Sequence, residues 1–383
     1  MYILKNAKIV LENKIIECGW LEINNSKITS INEGVTTKEG MNLNGNILMP
    51  GFIDVHMHGG YGIEFETATI DGYNHVAENI VKEGVVRFCQ GPVTATIDDL
   101  VKYFKVYANY LDNHNVGKKA RHIGAHMEGP FINEKFNGAH NINLLHKPNV
   151  DEMKKIINAA NGHIAYVTYA PELQNGEFTK LLIENNINPS IGHSNATFKE
   201  VEKELQNGAK HMTHLHNAMS PYHHRNPGMV NAGLFFDEIM TELITDGIHN
   251  DIDVIREVYK IKTADHMMII TDSMKAKGEP DGDYYLGPLP VTKKGLKITL
   301  ADGTLAASGD TYNYNVSCFA KATKAPLTDI AKVSSLNAAK ELRIFDKTGS
   351  IEVNKYADLV VLNNEFEVLM TIVEGDICFN TFN

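Results

Sequence analysis

Cysteine is scarce in this 383-residue chain: Cys18, Cys89, Cys318 and Cys378 stand far apart, with no CxxC spacing. That excludes a disulfide framework and a zinc knuckle, and it fits reduced thiols in a cytoplasmic protein. No run of ~18 apolar residues occurs, so no membrane-spanning helix is expected. The opening MYILKNAKIVLENKII has the wrong order of charge and apolarity for a signal peptide. Positive charge is also short, with 36 Lys and Arg against 47 Asp and Glu, a net charge of −11. Nucleic acid and anionic membranes are therefore excluded as partners, and any anionic ligand needs a local cluster of donors. Tryptophan occurs once, whereas histidine is abundant at 17. With 43% hydrophobic and 22% charged residues the core is ample. A cytoplasmic enzyme remains.

The chain's length leaves room for one large domain and an appendage. The first fifty residues alternate short apolar runs with Asn, Gly and Lys pairs: 2–4, 8–10, 15–16, 20–23 and 27–31. This predicts a small antiparallel sheet. The end of the chain reads the same way at 349–351, 357–362 and 368–373. Neither terminus has enough apolar surface to fold alone, so the two are expected to pair, with residues 1–50 and 346–383 forming one small domain.

Residues 51–345 change to alternating strand and helix. Strand-like runs fall at 52–57, 85–94, 122–127, 164–169, 188–192, 210–215, 240–245 and 266–271. Helical periods intervene at 98–111, 151–160, 177–186, 197–206 and 252–261. Eight strands with intervening helices predict a (β/α)8 barrel. A doubly wound sheet would normally carry a Gly-rich phosphate loop after its first strand, and none is present.

Chemistry-bearing residues gather at the carboxyl ends of these runs. His56 and His58 end the first (GFIDVHMHGG), Glu128 the third (HIGAHMEGPF), His193 the fifth (PSIGHSNAT) and His214 the sixth (HMTHLHNAM); Asp272 follows the eighth (MMIITDSM). That is the face on which barrel enzymes build active sites. An HxH on a strand places both imidazoles on one side. Any single histidine here has an ordinary reading as a core or surface residue; the convergence of all six residues on strand ends does not. The set predicts a site for a divalent ion such as zinc, iron, manganese or cobalt.

The segments GFIDVHMHGG, HMEGPF, GHSNAT, THLHNAMSP, DGIHND and TDSM resemble the motif series of the N-acetylglucosamine-6-phosphate deacetylases, in the amidohydrolase superfamily. LMPGFIDVH and GSIEVNKYADLVVL extend the resemblance nearly end to end. It implies a (β/α)8 barrel, a small β-sandwich built from both termini, and a homodimer. Matched position by position, Glu128, His193 and His214 would bind the main metal, while His56 and His58 would help hold a second. Asp272 matches the catalytic aspartate. Ala139, His140, Asn217, Ala218, Arg225 and His249 match substrate-binding positions, and Leu305, Ala306 and Ala307 match a loop along the acetyl and sugar portion. The resemblance further implies that Arg225 reaches the phosphate in the neighbouring subunit's site. The chain departs from the pattern at Phe88-Cys89-Gln90-Gly91, Phe136-Asn137, Asn226 and Ala307, which bears on sugar preference and leaves the metal positions untouched.

The implied reaction is metal-assisted hydrolysis of the acetamide of N-acetyl-D-glucosamine 6-phosphate, with Asp272 as acid–base. A dihydroorotase- or hydantoinase-like enzyme or a D-amino-acid deacylase would use the same metal machinery. A phosphatase or phosphotriesterase is open on metal grounds alone. A non-catalytic barrel homologue would have lost ligands that are all present here.

Overall fold

Eight short strands, buried along almost their whole length, carry the centre of the chain. They are β1 (Phe52–Asp54), β2 (Val85–Gln90), β3 (Arg121–Glu128), β4 (Ile164–Tyr169), β5 (Asn188–Ile191), β6 (His211–Met212), β7 (Met240–Ile244) and β8 (Met267–Ile270). Each is parallel to the next in chain order, and all eight fall within the runs expected from the sequence, save that Arg121 and Glu128 extend β3 by one residue at each end. Burial on both faces is why they read as apolar runs rather than alternating ones. Helices lie between them, and the sequence marks their starts. Ile97–Asn113, Val150–Ala160, Phe198–Asn207 and Ile252–Lys262 follow Thr96, Asn149, Thr197 and Asp251, whose side chains accept first-turn N–H groups. The computed structural model describes residues 1–382.

Among the described residues β1 and β8 end the ladder, and the ring is closed just beyond them. The Asp272 N–H donates to His56 O at 2.9 Å and the His58 N–H to Ser273 O at 2.7 Å. Below this seam the buried Asp54 carboxyl accepts from the Thr271 hydroxyl at 2.6 Å. The residues that complete the barrel are therefore neighbours of those expected to carry its chemistry.

The two termini meet in one eight-stranded, mostly antiparallel sheet with its own apolar cluster. Ile47–Pro50 joins them, parallel to Tyr2–Val10 on one side and antiparallel to Leu359–Leu362 on the other. Several expectations need correction. The runs at 2–4 and 8–10 are one continuous strand, Tyr2–Val10, those at 15–16 and 20–23 are another, Ile15–Asn24, and Asp376–Asn380 adds a strand that was not foreseen. Residues 349–351 form no strand; Ile351 instead plugs the sheet's apolar cluster as a loop residue. A further three-stranded sheet, Gly282–Leu286, Leu289–Lys294 and Lys297–Thr299, follows β8 and was not anticipated.

Terminal sheet and barrel are joined by a buried ion network. Arg87 on β2 bonds Asp358 at 2.7 Å and Glu374 at 3.0 Å, and Arg121 on β3 bonds Glu374 at 2.9 Å. Removing one partner of a buried pair leaves the other charge unpaired, which costs more than the pair itself is worth. Arg87→Ala is therefore expected to lower the unfolding free energy by about 3 kcal/mol in urea titrations, whereas Lys102→Ala on an exposed pair should change it by under about 0.5 kcal/mol.

Candidate active site

The loops leaving the strands hold their functional side chains by unusual backbone. His193, His214 and Asp272 have φ of 46°, 24° and 50°, the left-handed region that residues other than glycine seldom enter. Ala218 and Ala307 share it, at 47° and 55°. Each such residue costs about 1–2 kcal/mol and persists only where the surroundings over-determine it. Their concentration at the barrel mouth is what a functional site looks like energetically.

Glu128, the last residue of β3, is the hub. Its Oε1 lies 2.9 Å from His214 Nε2, 3.2 Å from His193 Nε2 and 3.6 Å from His56 Nε2. Its Oε2 lies 3.1 Å from His58 Nε2 and 3.2 Å from His140 Nε2. Asp272 adds its Oδ1 at 3.1 Å from His58 Nε2. Burial alone would raise the Glu128 carboxyl, but the surrounding imidazoles, His193 and His56 foremost, hold it well below the usual range. Asp272 is lowered in the same sense: burial opposes ionisation, and the bond from His58 outweighs it together with the charges of His56 and His58. Both carboxylates are thus ionised at neutral pH.

Three of the rings have their tautomer fixed from behind. His58 Nδ1 donates to Gly91 O at 2.9 Å, His193 Nδ1 to Phe136 O at 2.8 Å, and His56 Nδ1 to the Glu242 carboxylate at 2.9 Å. Each Nε2 then faces a carboxylate oxygen, a contact that needs positive charge: a proton on the ring supplies it when no ion is bound, and an ion accepting the Nε2 lone pair takes that proton's place. The donor set therefore fits a divalent metal. Four of these residues (His56, His58, Glu128 and Asp272) form one group of converging ligand atoms, and Glu128, His140 and His193 form another. His140 differs in kind. Its Nδ1 accepts from the Thr94 N–H at 3.3 Å, which leaves the proton on Nε2 as a donor into the site.

Glu242 on β7 was missed by sequence reasoning. It is fully buried, takes His56 Nδ1 on one oxygen and His211 Nε2 at 2.9 Å on the other, and also accepts the His214 backbone N–H at 3.1 Å. His211 in turn has Nδ1 2.8 Å from Glu341. Burial would lower His211, but the two carboxylates, Glu341 first, push it up to about 10. A lone glutamate inside the apolar run IMTELIT was the available signal.

A cavity of about 370 Å³ opens above the hub. It is lined by His58, Glu128, His193, His214 and Asp272, and by the expected Ala139, His140, Asn217, Ala218, His249, Leu305 and Ala307. His56 and Ala306 are buried outside its lining. Arg225 also lies outside it, exposed on the loop after β6, where its guanidinium meets His224 Nε2 at 3.0 Å. Lys135, Val93, Leu286 and Thr304 line the cavity without having been anticipated. Lys135 is the one Lys or Arg among the described lining residues.

The model of the amidohydrolase family matches residues 47–378. The N-acetylglucosamine-6-phosphate deacetylase of Bacillus subtilis is 36% identical over 98% of this chain and 97% of its own length. That of Vibrio furnissii is 32% identical over 87% and 83%. The crystal structure of the Thermotoga maritima deacetylase superposes with a TM-score of 0.89 at 34% identity, covering 99% of this chain and 100% of that one. A mutant of the Mycobacterium smegmatis deacetylase, in complex with N-acetyl-D-glucosamine 6-phosphate, gives 0.93 at 26% identity and 99% of each chain.

The role of Glu242 is testable through metal binding. Glu242→Gln keeps the shape but loses the ionic acceptor for His56 Nδ1. Metal affinity should fall by about 10- to 100-fold in chelator competition, the usual cost of losing such an outer partner, with the fold intact by circular dichroism.

Proposed function

We propose that this chain, which belongs to the amidohydrolase family and to its N-acetylglucosamine-6-phosphate deacetylase branch, hydrolyses the acetamide of N-acetyl-D-glucosamine 6-phosphate to acetate and D-glucosamine 6-phosphate. The observation that carries the reading is the Glu128 hub with ionised Asp272 beside it, under a cavity that Lys135 and His249 both line. Such a pocket offers a ligand set for an electrophilic ion, a base and anion-binding groups around one cavity.

The family is metal-dependent, and the residues fit a divalent ion: Glu128, His193 and His214 would hold the first, His56 and His58 a second, from among zinc, iron, manganese or cobalt. When bound, the ion polarises the acetyl carbonyl and lowers the pKa of water from ~15.7 towards ~7. The chain's own groups do the rest. Asp272, ionised at neutral pH, accepts the proton of the attacking water and returns it to the departing amine. His140 Nε2–H donates towards the developing oxyanion. Asn217 and the main chain at Ala139 and Ala218 line the sugar's position, and Leu305 and Ala307 close over it. His249 and Lys135 receive the 6-phosphate from their own subunit.

A homodimer is part of the proposal, with Arg225 adding a planar fork to the phosphate of the neighbouring site. Its exposed place on a loop outside its own cavity supports that role. The division into a barrel of 51–345 and a small domain of 1–50 with 346–383 belongs to the same reading, since every group named lies in the barrel segment. The four unpaired cysteines support a cytoplasmic site of action. No described helix is long and apolar enough to cross a membrane.

The direct test is incubation with N-acetylglucosamine 6-phosphate: acetate should appear, and release of inorganic phosphate instead would replace the reading with a phosphatase. Asp272→Asn should cut kcat by about 10²- to 10⁴-fold while metal content stays at the wild-type level. Metal loss in that variant would make Asp272 a ligand first. Arg225→Ala should raise KM for the phosphorylated sugar by about ten- to hundred-fold, the value of a charge-assisted contact. Mixing Arg225→Ala with Asp272→Asn protomers should restore activity, because one site of a mixed dimer keeps both residues. Proven subunit exchange without restoration would confine Arg225 to its own subunit.

A further inference from the structure

Behind His249 lies a carboxyl pair that the mechanism does not use. Asp246 and Asp310 are 3% and 0% exposed. Asp246 opens the DGIH turn after β7. Its Oδ1 accepts the N–H groups of Ile248 and His249, both at 2.8 Å, and its Oδ2 accepts the His249 Nδ1–H at 2.6 Å. The ring is thereby fixed with Nδ1 committed and Nε2 free for the cavity that His249 lines. Asp310 precedes the helix Tyr312–Thr323, and neither of its carboxyl oxygens has a donor. The side chain within hydrogen-bonding reach of it is Asp246, another acceptor.

The remaining charged neighbours are engaged elsewhere. Lys277 Nζ bonds Glu83 at 3.0 Å, and Lys293 Nζ bonds the carbonyls of Ala276 and Glu279 at 2.8 and 2.6 Å. Tyr314 and Cys318, on the same helix, also face the pair, and burial raises both, so they stay neutral. Two carboxylates in contact out of water, one without any donor, are unstable when both are ionised. One proton between them gives Asp310 a partner and leaves Asp246 the charge that holds His249.

We propose that Asp310 is a positioning residue: it keeps a proton at neutral pH, donates it to Asp246, and so steadies the Asp246–His249 pair that presents Nε2 to the substrate's anionic group. This rests on the reading of His249 as a phosphate contact. Burial, then the charge of Asp246, push Asp310 up to about 8. Asp246 is held low, its own burial outweighed by the His249 bond. The pair titrates as a unit, and its shared proton is lost only as pH rises through the alkaline range. Above that point a second negative charge appears beside the anion-binding wall.

Infrared spectroscopy and kinetics on the full-length metal-loaded enzyme test this together. At neutral pH the wild type should show a protonated-carboxyl band that disappears in Asp310→Asn. Its KM for N-acetylglucosamine 6-phosphate, divided by that for N-acetylglucosamine, should rise several-fold between neutrality and about pH 9. Asp310→Asn, whose amide can donate to Asp246 as the acid does, should keep the neutral-pH ratio within about threefold and abolish its rise. Asp310→Leu removes the donor and should raise the ratio by about tenfold with kcat little changed. An unchanged band in Asp310→Asn overturns the shared proton. Equal effects of Asp310→Leu on both sugars overturn the positioning role. His249→Ala separates the underlying reading: an unchanged ratio there removes the phosphate contact itself, and with it the positioning role, while the infrared difference still decides the proton.

Discussion

The Glu128 carboxylate, taken out of water at the end of β3, keeps its charge only because imidazoles surround it. That single requirement propagates outwards. His58, His193 and His56 face Glu128 with a chosen nitrogen because the other is anchored, on Gly91 O, Phe136 O and Glu242 respectively, whereas His214 is held through its backbone N–H on Glu242. Gly91 and Phe136 supply two of those anchors. Both act through main-chain carbonyls, which are indifferent to side-chain identity. Gly91 is the exception: a Cβ there would stand 2.0 Å from His126 O, so the carbonyl that orients His58 can approach only on a glycine.

The same constraint explains why strain collects where it does. His193, His214 and Asp272 must turn back over the barrel mouth two residues after their strands end, and left-handed backbone is the short way to do it. Asp272 is held in that turn from both sides, its N–H on His56 O and its carbonyl accepting the Ser308 N–H at 2.7 Å. The bonds that close the ring between β1 and β8 are therefore the bonds that aim Asp272. Barrel integrity and catalytic geometry are one structural problem at this seam.

Much of this was legible in the sequence because burial on both faces leaves a strong mark. The eight core strands read as apolar runs, and His56, His58, Glu128, His193, His214 and Asp272 sat at or just past the ends of those runs. What stayed hidden has physical reasons. Glu242 and Asp310 are single carboxyls whose role depends on partners 186 and 64 residues away, as with His56 bonded to Glu242 (310 − 246 = 64 for the acid pair). The sheet of 282–299 has short strands of alternating exposure, too weak a pattern to separate from a polar loop, yet it brings Leu286 to the cavity wall. Gly349–Ile351 erred the other way: Ile351 is buried as a strand residue would be, but it fills a sheet's core from a loop. Apolarity reports burial first and backbone conformation only second.

A net charge of −11 sets the last condition, because a phosphorylated sugar approaches against the field of the whole chain. The cavity floor adds two carboxylates held low, Glu128 and Asp272, so a cation bound among them would also make the floor tolerant of an anion. Along the cavity wall the protein has little fixed positive charge, Lys135 being the one Lys or Arg among the described lining residues. Under such scarcity the orientation of one histidine, His249, matters more than it would in a basic pocket. Its neighbours are correspondingly constrained. Asp246 must stay ionised to hold the ring, and any second negative charge beside it would offset the attraction that the ring supplies. Keeping Asp310 neutral by burial solves both demands with one proton, and no additional cation is required.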